Sequence, residues 1–96
     1  MGINMQRLKF GLLKLQEECG ELIQISAKKS AFISADFYPD GTNMKTRLEE
    51  EIADVLAALS FVSNEMQLDE SRIEERLDSK LVRYEEFMKE ILCNQN

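Results

Sequence analysis

The chain of 96 residues contains no histidine, and it has two cysteines, one proline and four glycines. The missing histidine removes most zinc sites, the Ser-His-Asp triad and the Cys-His dyad. It also removes the Glu-x-x-His motif on which di-iron helical bundles depend. Cys19 and Cys93 lack Cys-x-x-Cys spacing and read as reduced, inert thiols. So little turn chemistry argues against a sheet of many short strands. No run reaches the ~18–20 apolar residues of a membrane span. Residues 1–16 lack the apolar stretch and small-residue cleavage site of a secretory leader. A cytoplasmic location without a membrane partner is therefore expected. The net charge of −6 lacks the basic excess that attracts nucleic acid, so no nucleic-acid partner is expected.

What remains is helical. Hydrophobic residues make up 44% and charged residues 31% of the chain, a mixture suited to amphipathic helices around one small core. Leu8, Leu12, Leu15, Leu22 and Ile25 recur at steps of three, four or seven, predicting a helix over about 5–33. Gly11 and Gly20 interrupt it, each at a cost of roughly 1 kcal/mol against alanine, and a glycine kept there lets a neighbouring helix or ligand approach. Pro39, Asp40 and Gly41 mark a turn within 34–43. Thr42 or Asn43 can cap the next helix, about 44–66, with the apolar face Leu48, Ile52, Val55, Leu56, Leu59 and Val62. Asp69 or Ser71 opens a third helix, about 70–92, striped by Ile73, Leu77, Leu81, Tyr84, Met88 and Ile91. The expected architecture is all-α, a single domain over 1–96 of long antiparallel helices. The stripes exceed what one short chain can cover, so the bundle is expected to be completed by oligomerisation, as a homodimer or homotetramer.

Two acid pairs stand out. Glu18 and Glu21 lie three apart in the first helix, and Glu51 and Asp54 three apart in the second. Residues at i and i+3 are neighbours on a helix, so like charges there repel. Asp54 is embedded in apolar sequence, where an unpaired carboxylate is expensive. Four carboxylates from two antiparallel helices would suit a hard cation, Mg²⁺ or Mn²⁺. The competing reading is that the acids are merely solvated, and the residues alone do not decide between them.

The segments Glu17-Glu18-Cys19-Gly20-Glu21 and Leu48-Glu49-Glu50-Glu51-Ile52-Ala53-Asp54-Val55-Leu56 resemble the ExxE…ExxD signature of the MazG-like all-α nucleoside triphosphate pyrophosphatases, above all the short phage- and cassette-type members. Lys80-Leu81-Val82-Arg83-Tyr84 is similar to a K-x-x-R stretch of that family, and the resemblance spans roughly residues 8–88. The 29 residues between Glu21 and Glu51 make a longer gap than in compact members, with the extra length at the end of the first helix and in the 34–43 loop. The resemblance implies hydrolysis of a (deoxy)nucleoside triphosphate to monophosphate and pyrophosphate. It also implies Glu18, Glu21, Glu51 and Asp54 as ligands of Mg²⁺ (or Mn²⁺), with Glu17 or Glu50 assisting as base. Lys80, Arg83 and then Lys28 and Lys14 are ranked as phosphate contacts. Phe37, Tyr38, Tyr84 or Phe32 could stack on the base, and Asn43 could read its edge or cap the second helix. Two alternatives remain: a phosphoribosyl-ATP pyrophosphatase and a non-catalytic helical dimerisation module.

Overall fold

A computed structural model describes residues 2–95, which form α1 (Met5–Ala31), α2 (Met44–Met66) and α3 (Glu70–Cys93). Each start has a side-chain cap. The Asn4 side chain accepts from the Gln6 and Arg7 amides, Asn43 from Thr46, and Asp69 from Arg72, satisfying donors that the first turn leaves without partners. α1 ends two residues before the sequence expectation, because the chain leaves helical geometry at Phe32. α2 stops where Gln67 enters the left-handed region at φ 54°. Its neighbour Leu68 then donates to the Ser63 carbonyl, 3.0 Å, closing the helix C-terminus.

α1 and α2 form an antiparallel hairpin. Its far end is tied by Arg7, which bonds Glu65 at 2.8 Å and lies over the Phe61 ring, 5.0 Å from the centroid. Phe10 meets Phe61 edge-on at 5.7 Å. Along its inner face α1 shields Leu8, Gly11, Leu15, Glu18, Leu22, Ile25 and Lys29 from solvent, with Cys19 and Glu21 half-buried beside them. Those of α2 include Met44, Leu48, Glu51, Val55, Ala58, Val62 and Glu65. Both series alternate steps of three and four, the seam of an antiparallel coiled coil. Gly11 earns its place at that seam, since a Cβ there would stand 2.7 Å from Phe61 Cδ1 and 3.1 Å from Val62 Cγ2. Gly20 has no such role, with nothing within 4 Å of a Cβ.

The 34–43 loop is built, not slack. Gly41 N donates to the Tyr38 carbonyl at 2.9 Å, closing a turn with Pro39 and Asp40 at its centre. Gly41 takes φ 89°, open to glycine. Tyr38 N returns to the Thr42 carbonyl at 2.9 Å, and Phe37 bridges Asn43. Lys29 anchors the loop to α1 by donating to the Ile33 and Ala35 carbonyls at 3.0 and 2.7 Å.

α3 stands apart. It has no buried residue, and its apolar stripe is open to solvent. The radius of gyration is 17.3 Å, against about 13 Å for a compact domain of 100 residues. Ile52, Leu56 and Leu59 of α2 are likewise exposed, on the face away from α1. The face expected from the sequence for α2 is therefore split, with Leu48, Val55 and Val62 in the seam and these three outside it. Among the described residues, no helix is long and apolar enough to cross a membrane.

Candidate metal centre

The seam predicts where a carboxylate is forced inside. Glu18 and Glu51 take seam positions flanked by apolar residues, Leu15 and Leu22 on α1 and Leu48 and Val55 on α2. Glu51 is 0% exposed, and neither of its carboxylate oxygens has a hydrogen-bond partner; Glu18 Oε2 is also buried without one. One ligand oxygen from each of Glu18, Glu51 and Asp54 lies within 4.8 Å of the other two. Burial, and then the Glu18 and Glu21 carboxyls beside it, raise the Glu51 pKa to about 7. Desolvation and like charge act in the same direction here.

This set fits a hard divalent cation. The donors are all carboxylate oxygens, and ligand distances of roughly 2.0–2.6 Å leave oxygens up to about 4–5 Å apart across such an ion. Buried oxygens without donors are the side of the fit that protein alone leaves unmet. Glu21 completes the acidic surround from the neighbouring turn of α1, close enough to shift Glu51.

The identity of the buried acid differs from the sequence expectation. Asp54 was the expected anomaly, yet it is exposed and Glu51 is enclosed. Asp54 falls one residue short of the seam position at Val55, so it sits at the rim of the groove. Counting the three-four seam from Leu8 would have marked Glu18, and from Met44 it would have marked Glu51.

Two clefts flank the acids. One, about 390 Å³, is lined by Glu18, Asp54, Lys14, Phe10 and Phe61. The other, about 470 Å³, is lined by Glu21, Lys28, Tyr38, Asp40 and Arg47. A wider depression of about 760 Å³ lies at the α2–α3 elbow beside Leu68, Ile73 and Arg76, and holds none of the four acids.

The remaining expected residues divide sharply. Lys28 borders the second cleft, with its ammonium 5.9 Å from the Tyr38 ring centroid. Lys80 and Arg83 do not reach the acids of their own chain. They share a separate groove on α3 with Arg76 and Ser79, and Arg83 pairs with Glu86 at 3.2 Å and stacks on Phe87. Within one chain Lys28 thus lies nearer the acids than Lys80 and Arg83 do, because periodicity shows which residues share a helix face and not where that helix goes. Tyr84 is carried away on the same helix, and Phe37 and Phe32 are exposed outside both clefts. Tyr38 is the aromatic side chain that borders the second cleft. Asn43 spends its side-chain oxygen on the Thr46 amide at 2.9 Å, as a cap. Glu17 is held by Lys14 at 3.3 Å, and Glu50 faces solvent 3.8 Å from Arg47. Glu17 and Glu50 precede Glu18 and Glu51 by one residue in number but lie about 100° around the helix from them. Arg47 was missed by the sequence reading. Its signal was a cation in the first turn of α2, four residues before Glu51.

Neither curated proteins nor solved structures yield a match to the chain. A family model does match: residues 6–86 fit the MazG nucleotide pyrophosphohydrolase domain. With the all-α fold and the paired acids on its first two helices, the chain belongs to the MazG nucleotide pyrophosphohydrolase family.

Proposed function

We propose that this chain hydrolyses a nucleoside triphosphate to the monophosphate and pyrophosphate, in a reaction that depends on Mg²⁺ or Mn²⁺. The observation that carries the reading is Glu51, enclosed with both oxygens unpartnered beside Glu18 and Asp54. Glu18, Glu51 and Asp54 hold the cation, with Glu21 beside them. When bound, the cation neutralises phosphate charge and acidifies a water. In the net reaction a water oxygen bonds to the α-phosphorus, the bond from that phosphorus to the α–β bridging oxygen breaks, and pyrophosphate leaves.

The protein groups divide that work. The carboxylates of α1 and α2 fix the reacting end against a rigid seam, which lowers the cost of orienting it. Lys28 supplies positive charge beside the cleft, and Tyr38 offers a ring face to the substrate. Lys80, Arg83 and Tyr84 can join only from a second copy, since α3 leads them away from the acids of their own chain. We propose that such a copy exists as a homodimer or homotetramer. Nine large apolar side chains of α3 are exposed, from Ile73 to Leu92, and burying each fully is worth roughly 1.5–3 kcal/mol. The enzyme would act in the cytoplasm on the nucleotide pool.

The test is a panel of canonical and modified ribo- and deoxyribonucleoside triphosphates, with phosphoribosyl-ATP included, incubated with Mg²⁺ and scored for pyrophosphate. Release from at least one substrate, lost on adding EDTA, is expected. No release from any of them would overturn the enzyme reading. Glu18→Gln and Asp54→Asn should each remove turnover while circular dichroism stays helical.

A further inference from the structure

The loop end of the hairpin gathers positive charge against the usual helix rule. The first turn of α2 carries Lys45 and Arg47 and no acid. A cation there opposes the helix macrodipole, typically at a few tenths to 1 kcal/mol. Helix stability therefore gives no reason for Arg47. Ion pairing within the chain gives little more. The guanidinium Nη1 stands 3.8 Å from Glu50 and 3.9 Å from Glu51, beyond hydrogen-bond distance for either. Both Glu51 oxygens stay without a donor despite it.

What Arg47 does border is the 470 Å³ cleft whose inner wall includes Glu21. Lys28 faces the same space from the last turn of α1. Asp40, the acid on that rim, accepts from the Thr42 amide at 2.9 Å, and its carboxyl is held below the usual range first by that bond and partly by Lys28. Asp40 thus offsets some of the Lys28 charge, and Arg47 is a cation on the cleft wall whose carboxylate neighbours, Glu50 and Glu51, stand beyond hydrogen-bond distance.

We propose that Arg47 grips the two terminal phosphates of the substrate, the part that departs as pyrophosphate, in this cleft. The inference rests on the pyrophosphohydrolase reading above and adds a residue that discriminates triphosphates from shorter nucleotides. The planar guanidinium matches adjacent phosphate oxygens two at a time, while Lys28 acts beside it as a point charge. The bland competitor is that Arg47 serves only as a distant counter-charge to Glu51.

The two roles separate experimentally in the full chain carrying R47Q or R47K, with folding checked by circular dichroism. Inorganic pyrophosphate is titrated calorimetrically in the presence of Mg²⁺, and Mn²⁺ is titrated alone. A phosphate grip predicts that R47Q weakens pyrophosphate binding roughly ten- to a hundredfold. Mn²⁺ affinity should stay within about twofold, and R47K should recover part of the loss. Where turnover is measured, KM for the triphosphate should rise far more than KM for the matching diphosphate. Unchanged pyrophosphate binding, or an equal loss of Mn²⁺ affinity, overturns the proposal. Absence of turnover in the unaltered chain is a failure of the enzyme reading instead, and the pyrophosphate titration still reads Arg47 separately.

Discussion

Glu51 concentrates the cost of this site in one side chain. Its pKa, raised to about 7 by burial and then by its acidic neighbours, makes stability depend on pH in a defined direction. The unfolded carboxyl titrates near 4.5. Below that value both states are protonated and there is no penalty. As pH rises from about 4.5 to 7 the unfolded chain loses the proton while the folded chain keeps it, so folding weakens across this window and stays weakened above it. Melting of the metal-free protein is therefore expected to fall between pH 5 and pH 8, and Mg²⁺ should restore more stability at pH 8 than at pH 5. Glu51→Gln should flatten the profile and leave the metal-free protein more heat-resistant at pH 8, with no turnover. A flat profile for the unaltered chain would contradict the enclosed, unpartnered carboxylate.

At the scale of the helices, two glycines of α1 give opposite predictions. Gly11→Ala should destabilise, because overpacking against Phe61 and Val62 costs ~1–3 kcal/mol and outweighs the roughly 1 kcal/mol that alanine returns in a helix. Gly20→Ala, with open space at its Cβ, should stabilise by about 0.5–1 kcal/mol. In the loop, Gly41→Ala should cost about 1–2 kcal/mol for a side chain forced to positive φ, and it should loosen the wall that carries Tyr38. Urea unfolding midpoints measure all three. The helices were legible in the sequence because hydrophobic period is local, and the caps of α2 and α3, Asn43 and Asp69, were each one of two candidates, whereas the Asn4 cap of α1 was not picked out; Pro39 and Gly41 lie in the expected turn. The acid pairs were legible for the same reason. Which acid goes inside was not. Apolar neighbours in sequence pointed to Asp54, whereas enclosure depends on the register between two helices, and that register selects Glu51. Arg47 was passed over because nothing local sets it apart from an ordinary surface cation.

For the whole molecule, the position of α3 governs what can be expected. Its stripe is apolar along its length yet lies exposed among the described residues, so the sequence could predict the helix but not its neighbour. Sedimentation should show a dimer or larger species, and Leu81→Glu should shift it toward monomer. A monodisperse monomer for the unaltered chain would remove Lys80, Arg83 and Tyr84 from the site altogether. The described residues extend 57 × 37 × 15 Å, and the shortest of these is little more than one helix diameter of ~10–12 Å. A domain normally closes its core between two packed layers. A slab one layer thick leaves its apolar faces open to water, and the proposed second copy would supply the missing layer. Refolding after dilution from urea should then include a second-order phase, slowing in proportion as the protein is made more dilute.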